Sequence, residues 1–204
     1  MILRRFTSLP LLLDILESSE LQFSDPRYWE DKNDSEILKA YKDKKKLKTL
    51  FALCFTKDTE TIYQWKAFSD NSSGCFIKFD SDNINKKILK NRNIRQNEIK
   101  YIKINELKQE LKKIEDIPFS KRWPYRNENE YRYIYESKLY KSSYSIPINS
   151  SDIISVTFNQ KMTDHTFDTI KRILKNKYKM SNIYHSTVYR NETWLNYIRD
   201  KMII

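Results

Sequence analysis

The residues with the clearest chemical potential lie in segment 123–138, WPYRNENEYRYIYESK. Tyrosines alternate there with other residues, a period of two that predicts a β-strand from Glu128 onward. Side chains two positions apart share a face of a strand, so we expect Glu128, Glu130 and Arg132 to lie side by side. A carboxylate beside a like charge and a guanidinium can have a pKa suited to binding or catalysis. An exposed ladder of cross-strand ion pairs would show the same pattern, and the sequence leaves both interpretations open.

Glycine and histidine are too rare for several common classes of site. The chain of 204 residues has a single glycine, Gly74, and two histidines. Walker loops, dinucleotide-binding loops and nucleophile elbows all need more than one glycine at fixed positions. Two histidines and two distant cysteines do not make an ordinary zinc site. We therefore expect chemistry that depends on carboxylates, arginines and hydroxyls, with no metal.

The chain is strongly basic, with a formal net charge of +11. Its basic residues cluster in segments 39–48, 86–95 and 170–179. Such clusters favour a surface that attracts polyanions, and nucleic acid, DNA or RNA, is the expected partner. An AT-rich genome would produce the same lysine bias without any selection for binding.

The sequence also indicates a compartment. No apolar run is long enough to predict a membrane span, and the start of the chain lacks the pattern of a signal peptide. Cys54 and Cys75 form no Cys-x-x-Cys motif, which suits a reducing environment. We expect a cytoplasmic protein with no membrane partner.

Short predicted elements are spread through the whole chain. The predicted strands are 2–6, 21–24, 51–56, 75–80, 99–104, 152–159 and 182–189, and the predicted helices are 8–20, 35–50, 59–69, 82–91, 105–114 and 163–178. Strands and helices show no steady β-α-β alternation, and no linker composition divides the chain. The sequence predicts one α+β domain over 1–204, with a bent or split mixed sheet flanked by helices.

Five short motifs occur in an order that resembles a widespread bacterial family of unknown function. The resemblance covers roughly residues 3 to 160. The motifs are Arg4-Arg5-Phe6, then Phe23-Ser24-Asp25-Pro26 through Trp29 and Asp31, then Cys54-Phe55-Thr56, then Trp65 and Phe68 with Gly74-Cys75 and Phe79-Asp80, and finally Glu128-Asn129-Glu130-Tyr131-Arg132. Phe68 stands where that family usually has tyrosine.

The same order is similar to the layout of ADP-ribosyltransferase toxins, including the DarT-like toxins of phage-defence and toxin–antitoxin systems. The resemblance implies an ADP-ribosyltransferase-like fold, NAD as substrate and an antitoxin or other neutralising protein as partner. It implies Glu130 as the catalytic carboxylate with Glu128 beside it. The residues that it implies around NAD are Arg4 or Arg5 at the ribose or phosphates, with Ser24, Tyr28, Trp29 and Trp65 shaping the pocket.

Two other functions remain open from the sequence. Glu136 and Lys138 form a Glu-x-Lys motif, and with Asp80 from an earlier strand they could hold Mg²⁺ in a nuclease. A non-enzymatic module could instead bind nucleic acid, with the tyrosine-rich strand stacking bases and the lysine-rich helices contacting phosphates.

Overall fold

The computed structural model describes residues 1–69, 71–88 and 90–202. Its strands are β1 (Ile2–Ser8), β2 (Glu20–Gln22), β3 (Thr49–Thr56), β4 (Gly74–Asp80), β5 (Ile94–Glu98), β6 (Lys100–Ile102), β7 (Ser120–Arg122), β8 (Glu130–Ser137), β9 (Ser145–Pro147), β10 (Ile153–Phe158) and β11 (Ile183–His185). Its α-helices are α1 (Leu9–Ser18), α2 (Lys32–Lys44), α3 (Ile62–Phe68), α4 (Ser81–Ile88), α5 (Leu107–Glu110), α6 (Asp164–Tyr178) and α7 (Glu192–Met202).

Seven of the described strands form one mixed sheet, in the order β11-β10-β4-β1-β3-β8-β5. The β10 and β11 strands pair in parallel, and the other neighbours pair antiparallel. Two small two-stranded sheets, β2-β9 and β6-β7, lie outside it. The fold is therefore mixed α+β, with helices flanking a mixed sheet, as predicted.

Alternation along β8 divides its side chains between two hydrophobic clusters. Tyr131, Tyr133 and Tyr135 are buried in the larger cluster, while Ile134 packs in the smaller one, beneath α2. Burial of these rings removes apolar surface from water and stabilises the sheet. Because the three rings are inside the protein, the expectation that this strand stacks nucleic-acid bases is wrong.

The main sheet is split between β1 and β3. The β1 strand pairs with β4 along its whole length, but it meets β3 at one registered pair, Arg4 with Thr56. Further along, the edge of β3 is paired with a loop residue instead, because Ser24 and Ala52 exchange backbone hydrogen bonds of 2.8 and 2.9 Å. This agrees with the prediction of a bent or split sheet, and the split leaves an opening beside β3.

The α2 helix begins earlier and ends earlier than the predicted helix 35–50. Asp31 caps its N-terminus, because its side chain accepts hydrogen bonds from the N–H groups of Asn33 and Asp34. The helix ends at Lys44, and Lys46 lies in the left-handed region with φ 54°. The chain then turns so that Thr49 already belongs to β3.

Other predicted elements differ in length from those in the structure, and some observed elements were not predicted. The predicted strand 182–189 is reduced to β11, and the predicted helix 105–114 is reduced to a 3-10 turn followed by α5. The α7 helix was not predicted, and it contributes no buried residue. Leu89, in the predicted helix 82–91, lies outside the described residues. No described helix is long and apolar enough to cross a membrane.

Candidate functional site

A cleft of about 580 Å³ opens where β1 and β3 separate. Its volume lies within the range of roughly 300–1,000 Å³ that is typical of small-molecule sites. Of the site residues that the sequence predicted, the cleft is lined by Arg4, Arg5, Ser24, Trp29, Glu128 and Glu130. Segments far apart in the chain therefore meet at one place, and most of the predicted set is brought together.

Tyr28 and Trp65 do not line the cleft, so the structure does not bring these two predicted site residues together with the others. Tyr28 ends a 3-10 turn, Pro26–Tyr28, and its side chain is 80% exposed to solvent. Trp65 is fully buried because α3 turns it toward the sheet, where its ring meets Phe6 edge to face at 5.1 Å. Its Nε1 donates to Glu60 at 2.6 Å, so Trp65 holds α3 against the sheet.

Glu128, Glu130 and Arg132 share the cleft, but they do not form an exposed ladder. Their exposed fractions are 7%, 6% and 0%, so the surface interpretation is wrong. The strand begins at Glu130, and Glu128 ends the 3-10 turn Trp123–Glu128 that precedes it. Asn129 joins the two with a left-handed φ of 41°. Glu130 reaches the cleft from the strand, and the turn places Glu128 in the same cleft.

The guanidinium of Arg132 is the centre of a buried ionic cluster. It pairs with Glu130 through Nε–Oε1 at 2.6 Å and Nη2–Oε2 at 3.0 Å. It pairs with Asp34 through Nη1–Oδ1 at 3.0 Å and Nη2–Oδ2 at 2.6 Å, and Nη1 also donates to the Pro118 carbonyl at 3.1 Å. All five N–H groups of the arginine thus have acceptors, which a buried guanidinium requires. The Trp29 ring covers it at 5.2 Å.

Lys121 connects the three carboxylates of this cluster. Its Nζ lies 2.6 Å from Glu128 Oε2, 3.2 Å from Glu130 Oε2 and 3.4 Å from Asp34 Oδ2. Burial opposes the charged form of the lysine, but the neighbouring carboxylates outweigh burial and raise its pKa. Sequence analysis missed both Lys121 and Asp34, because neither lies at a spacing that relates it to the strand of Glu130.

The two glutamates differ in ionisation although both are buried. For Glu130, burial alone would raise the pKa, but Arg132 and Lys121 outweigh burial and lower it to about 2. For Glu128, burial raises the pKa and Lys121 offsets only part of that rise. Neighbouring carboxylates with divergent pKa values are typical of acid–base sites. Among the described residues, Glu128 is engaged through Oε2 alone, whereas both oxygens of Glu130 are engaged.

The two arginines of β1 stand at the split itself. Arg5 Nη1 donates to the Cys54 carbonyl at 3.1 Å, in place of the ladder bond that β1 and β3 do not make. Arg4 Nη1 donates to the Asp58 carbonyl at 2.7 Å. Burial lowers the pKa of both side chains, yet a guanidinium remains charged in proteins. The cleft is therefore lined by two positive charges as well as by the two glutamates.

Aromatic side chains form much of the remaining wall. Trp29 is held by a hydrogen bond of 3.0 Å from its Nε1 to Ser24 Oγ, which itself donates to the Ala52 carbonyl at 3.0 Å. From α3, Tyr63 and Phe68 face the cleft while 37% and 47% exposed. Exposed rings beside buried charges suit a ligand that combines flat rings with polar groups.

The residues of the nuclease hypothesis are not brought together. Asp80 ends β4 and Glu136 lies on β8, with β1 and β3 between them, so about three strand spacings, roughly 14 Å, separate them across the sheet. Glu136 already accepts from Arg95 at 2.6 Å and from the Tyr41 hydroxyl at 2.9 Å. Lys138 is exposed beyond the strand. This alternative site is wrong, and the described residues contain no group of three or more metal-ligating side chains.

Comparison with known proteins adds little to this geometry. No family model matches the chain, and no curated protein matches its sequence. Among solved structures, Thermus sp. 2.9 DarT in complex with NAD+ aligns over 93% of this chain and 97% of that chain, with 7% sequence identity and a TM-score of 0.45.

Proposed function

We propose that the cleft binds NAD and that the protein transfers ADP-ribose from NAD to a macromolecule. One observation carries the proposal: two buried glutamates of opposite pKa shift share a cleft with two arginines and several exposed rings. NAD combines two flat bases, two riboses and a pyrophosphate, so each kind of group has a counterpart in the cleft. The split in the sheet that forms the cleft is the basis for proposing an ADP-ribosyltransferase-like fold.

Binding is assigned to the walls of the cleft. Arg4 and Arg5 offer guanidinium groups, which suit phosphate oxygens because a planar fork can donate two hydrogen bonds at once. Trp29, Tyr63 and Phe68 offer surfaces on which nicotinamide or adenine can stack. Ser24 supports this wall through its hydrogen bond with Trp29 and does not need to contact the ligand.

Chemistry is assigned to the glutamates. When the bond between nicotinamide and ribose breaks, its electron pair leaves with nicotinamide, which departs neutral, and positive charge develops on the ribose. Glu130 remains ionised and can stabilise that charge. A nucleophilic atom of the acceptor then bonds to the ribose carbon and loses a proton. Glu128 can accept this proton, since one of its oxygens is unengaged among the described residues.

The wider role follows from the reaction. A transferase that modifies an essential macromolecule would slow growth, so we propose a toxin or phage-defence effector controlled by a neutralising protein. Nucleic acid is the proposed acceptor, because the chain has a net charge of +11. A protein acceptor is the other outcome that the assay must detect.

The test is to incubate the purified protein with NAD that is labelled in the adenylate phosphate, with DNA, RNA or cell lysate as acceptor, and with or without EDTA. Free nicotinamide is measured in the same samples. We expect label transfer and nicotinamide release that both persist in EDTA and disappear in Glu130→Gln, but persist in Glu36→Gln, an exposed control on α2. Absence of transfer and of nicotinamide release with every acceptor would overturn the proposal.

A further inference from the structure

Two polar side chains outside the cleft meet beside the junction between its two glutamates. Asn129 Nδ2 donates to Asp58 Oδ1 at 2.6 Å, although 71 positions separate the two residues in the chain. The described residues that line the cleft include neither of them. The roles assigned to the walls and to the glutamates therefore do not account for this contact, which we call the Asp58–Asn129 pair.

Asn129 is the residue that directs Glu128 relative to Glu130. Its backbone is left-handed, with φ 41° and ψ 52°, and its N–H donates to the Arg126 carbonyl at 3.2 Å. Asparagine and aspartate adopt this conformation more readily than most residues that carry a side chain. Glu128 lies before this turn and β8 begins after it, so the position of Glu128 in the cleft depends on the turn.

Asp58 is held in place through its backbone. Its N–H donates to Thr56 Oγ1 at 3.1 Å, and the same oxygen accepts from Gln64 Nε2 at 3.1 Å. Gln64 also closes the capping box that begins α3. The Asp58 carboxylate is thus presented to Asn129 by a loop that is fixed by both β3 and α3.

The same loop also receives Arg4 from β1. Arg4 Nη1 donates to the Asp58 carbonyl at 2.7 Å and to the Lys57 carbonyl at 3.3 Å. The Lys57 N–H donates to the Asn129 carbonyl at 3.0 Å. Two adjacent loop residues therefore hold both the arginine assigned to phosphate and the junction of the glutamates. Such fixed placement of reacting groups is a large source of rate enhancement in enzymes.

We propose that Asp58 and Asn129 are positioning residues of the transfer reaction, which hold Glu128 where it can accept the proton of the acceptor. The inference rests on the proposed function and adds two residues that act through Glu128. A purely structural pair would only close the end of the β3–β8 ladder, at the registered pair of Thr56 with Glu130. Loss of a purely structural pair would change stability without changing the reaction.

Exchange of the two side chains tests the pair directly. At neutral pH, Asn129→Asp places two carboxylates together, so the hydrogen bond is lost. The double variant Asp58→Asn with Asn129→Asp restores one donor and one acceptor in reversed order. Aspartate also tolerates the left-handed turn. Nicotinamide release and ADP-ribose transfer are measured in the same samples, and NAD affinity is measured by calorimetry.

We expect Asn129→Asp to lower the ratio of transfer to nicotinamide release by about tenfold or more, because a misplacement of about 1 Å can cost about 100-fold in rate. Release and NAD affinity should stay near wild type, since Arg132 still holds both oxygens of Glu130. The double variant should recover most of the ratio. Asn196→Asp adds the same charge at an exposed position of α7 and should leave the ratio unchanged.

A second readout does not depend on turnover. NMR titration of protein labelled in glutamate follows the carboxyl carbon of Glu128, which is assigned by its absence from Glu128→Gln. Asn129→Gly permits the left-handed turn but removes the amide that holds it. Glu128 should then become more exposed, and its raised pKa should fall toward the ordinary value of 4.5.

The outcomes distinguish the inference from the proposed function. Wild type that transfers ADP-ribose to no acceptor overturns the inference, and absence of nicotinamide release as well overturns the proposed function. With active wild type, three results overturn the inference alone. These are an unchanged ratio in Asn129→Asp, no recovery in the double variant, and an unchanged pKa of Glu128 in Asn129→Gly.

Discussion

Arg132 Nη2 and Asp34 Oδ2 lie 2.6 Å apart, although 98 positions separate the two residues in the chain. The contact attaches the first turn of α2 to the first part of β8, inside the protein. The same guanidinium binds Glu130 and lies under Trp29. The position of the proposed catalytic carboxylate therefore depends on a helix from the other side of the cleft.

Arg132→Gln should be strongly destabilising, because it removes the positive charge that compensates two buried carboxylates. Loss of one partner of a buried ion pair typically costs about 3–5 kcal/mol. The free energy of unfolding, measured by urea denaturation, should fall by about that amount. Arg126→Gln, at an exposed arginine, should cost less than about 0.5 kcal/mol. A loss below about 1 kcal/mol in Arg132→Gln would contradict the role of the cluster.

Glu130 should make the protein sensitive to acid. Its folded pKa of about 2 lies below the ordinary value of 4.5, so its contribution to stability is present above pH 4.5 and is lost as the pH falls toward 2. A shift of this size corresponds to stabilisation on the order of 3 kcal/mol. In Glu130→Gln, this part of the pH dependence of unfolding should disappear. An unchanged slope between pH 4.5 and pH 2 would argue against the ion pair.

Glu128→Gln should affect stability in the opposite sense. Its folded pKa is raised, so the contribution of Glu128 is fully present below the ordinary value of 4.5 and is lost as the pH rises through the folded pKa. At neutral pH the variant should be at least as stable as wild type, despite the lost contact with Lys121. Thermal melts at pH 7 compare the two glutamine variants directly. Greater destabilisation by Glu128→Gln than by Glu130→Gln would reverse this assignment.

Turnover should separate the two glutamates as well. If Glu130 stabilises charge in the transition state, Glu130→Gln should lower kcat by about 10²–10³-fold. Glu128→Gln should act more mildly on nicotinamide release and more strongly on transfer to the acceptor, because Glu128 is proposed to take the acceptor proton. Release and transfer are measured on the same samples, with NAD binding as a check that the cleft is intact. Equal rates in both variants and wild type would exclude catalysis by this pair.

Lys179→Gly should stabilise the protein relative to Lys179→Ala. Lys179 follows α6 in the left-handed region, with φ 57°, where a side chain costs about 1 kcal/mol and glycine does not. Both variants lose the same hydrogen bond from Nζ to the Asn176 carbonyl, so the comparison isolates the backbone. Chemical denaturation should show the glycine variant about 1 kcal/mol more stable than the alanine variant. The reverse order would contradict the observed turn.

Gly74→Ala should be destabilising, because a Cβ at this position would lie 2.3 Å from the Ser69 carbonyl oxygen. Backbone atoms cannot avoid that contact by a change of rotamer, so we expect a cost of about 1–3 kcal/mol. Ser72→Ala, at an exposed neighbour, should have little effect on the melting temperature. An unchanged melting temperature in Gly74→Ala would show that the close approach is not required.

The local sequence pattern was sufficient to predict most of the helices and strands. Alternation predicted the β8 strand and the shared face of Glu130 and Arg132, and the apolar spacing of segment 163–178 predicted α6. These features depend on residues within a few positions of each other. The single domain over 1–204, the nucleic-acid partner, the neutralising protein and the cytoplasmic location stay predictions.

Only the tertiary structure showed which residues cover each face of β8. A period of two shows that Glu130 and Arg132 share a face, but only the packing of α2 and of the 120–128 segment shows that the face is buried and that Asp34 and Lys121 complete it. In the same way, the family resemblance implied Tyr28 and Trp65 as site residues, whereas the turn after Pro26 exposes Tyr28 and the packing of α3 buries Trp65. The physical reason is that periodicity depends on neighbours in the chain, while burial and ion pairing depend on residues that meet only when the chain has folded.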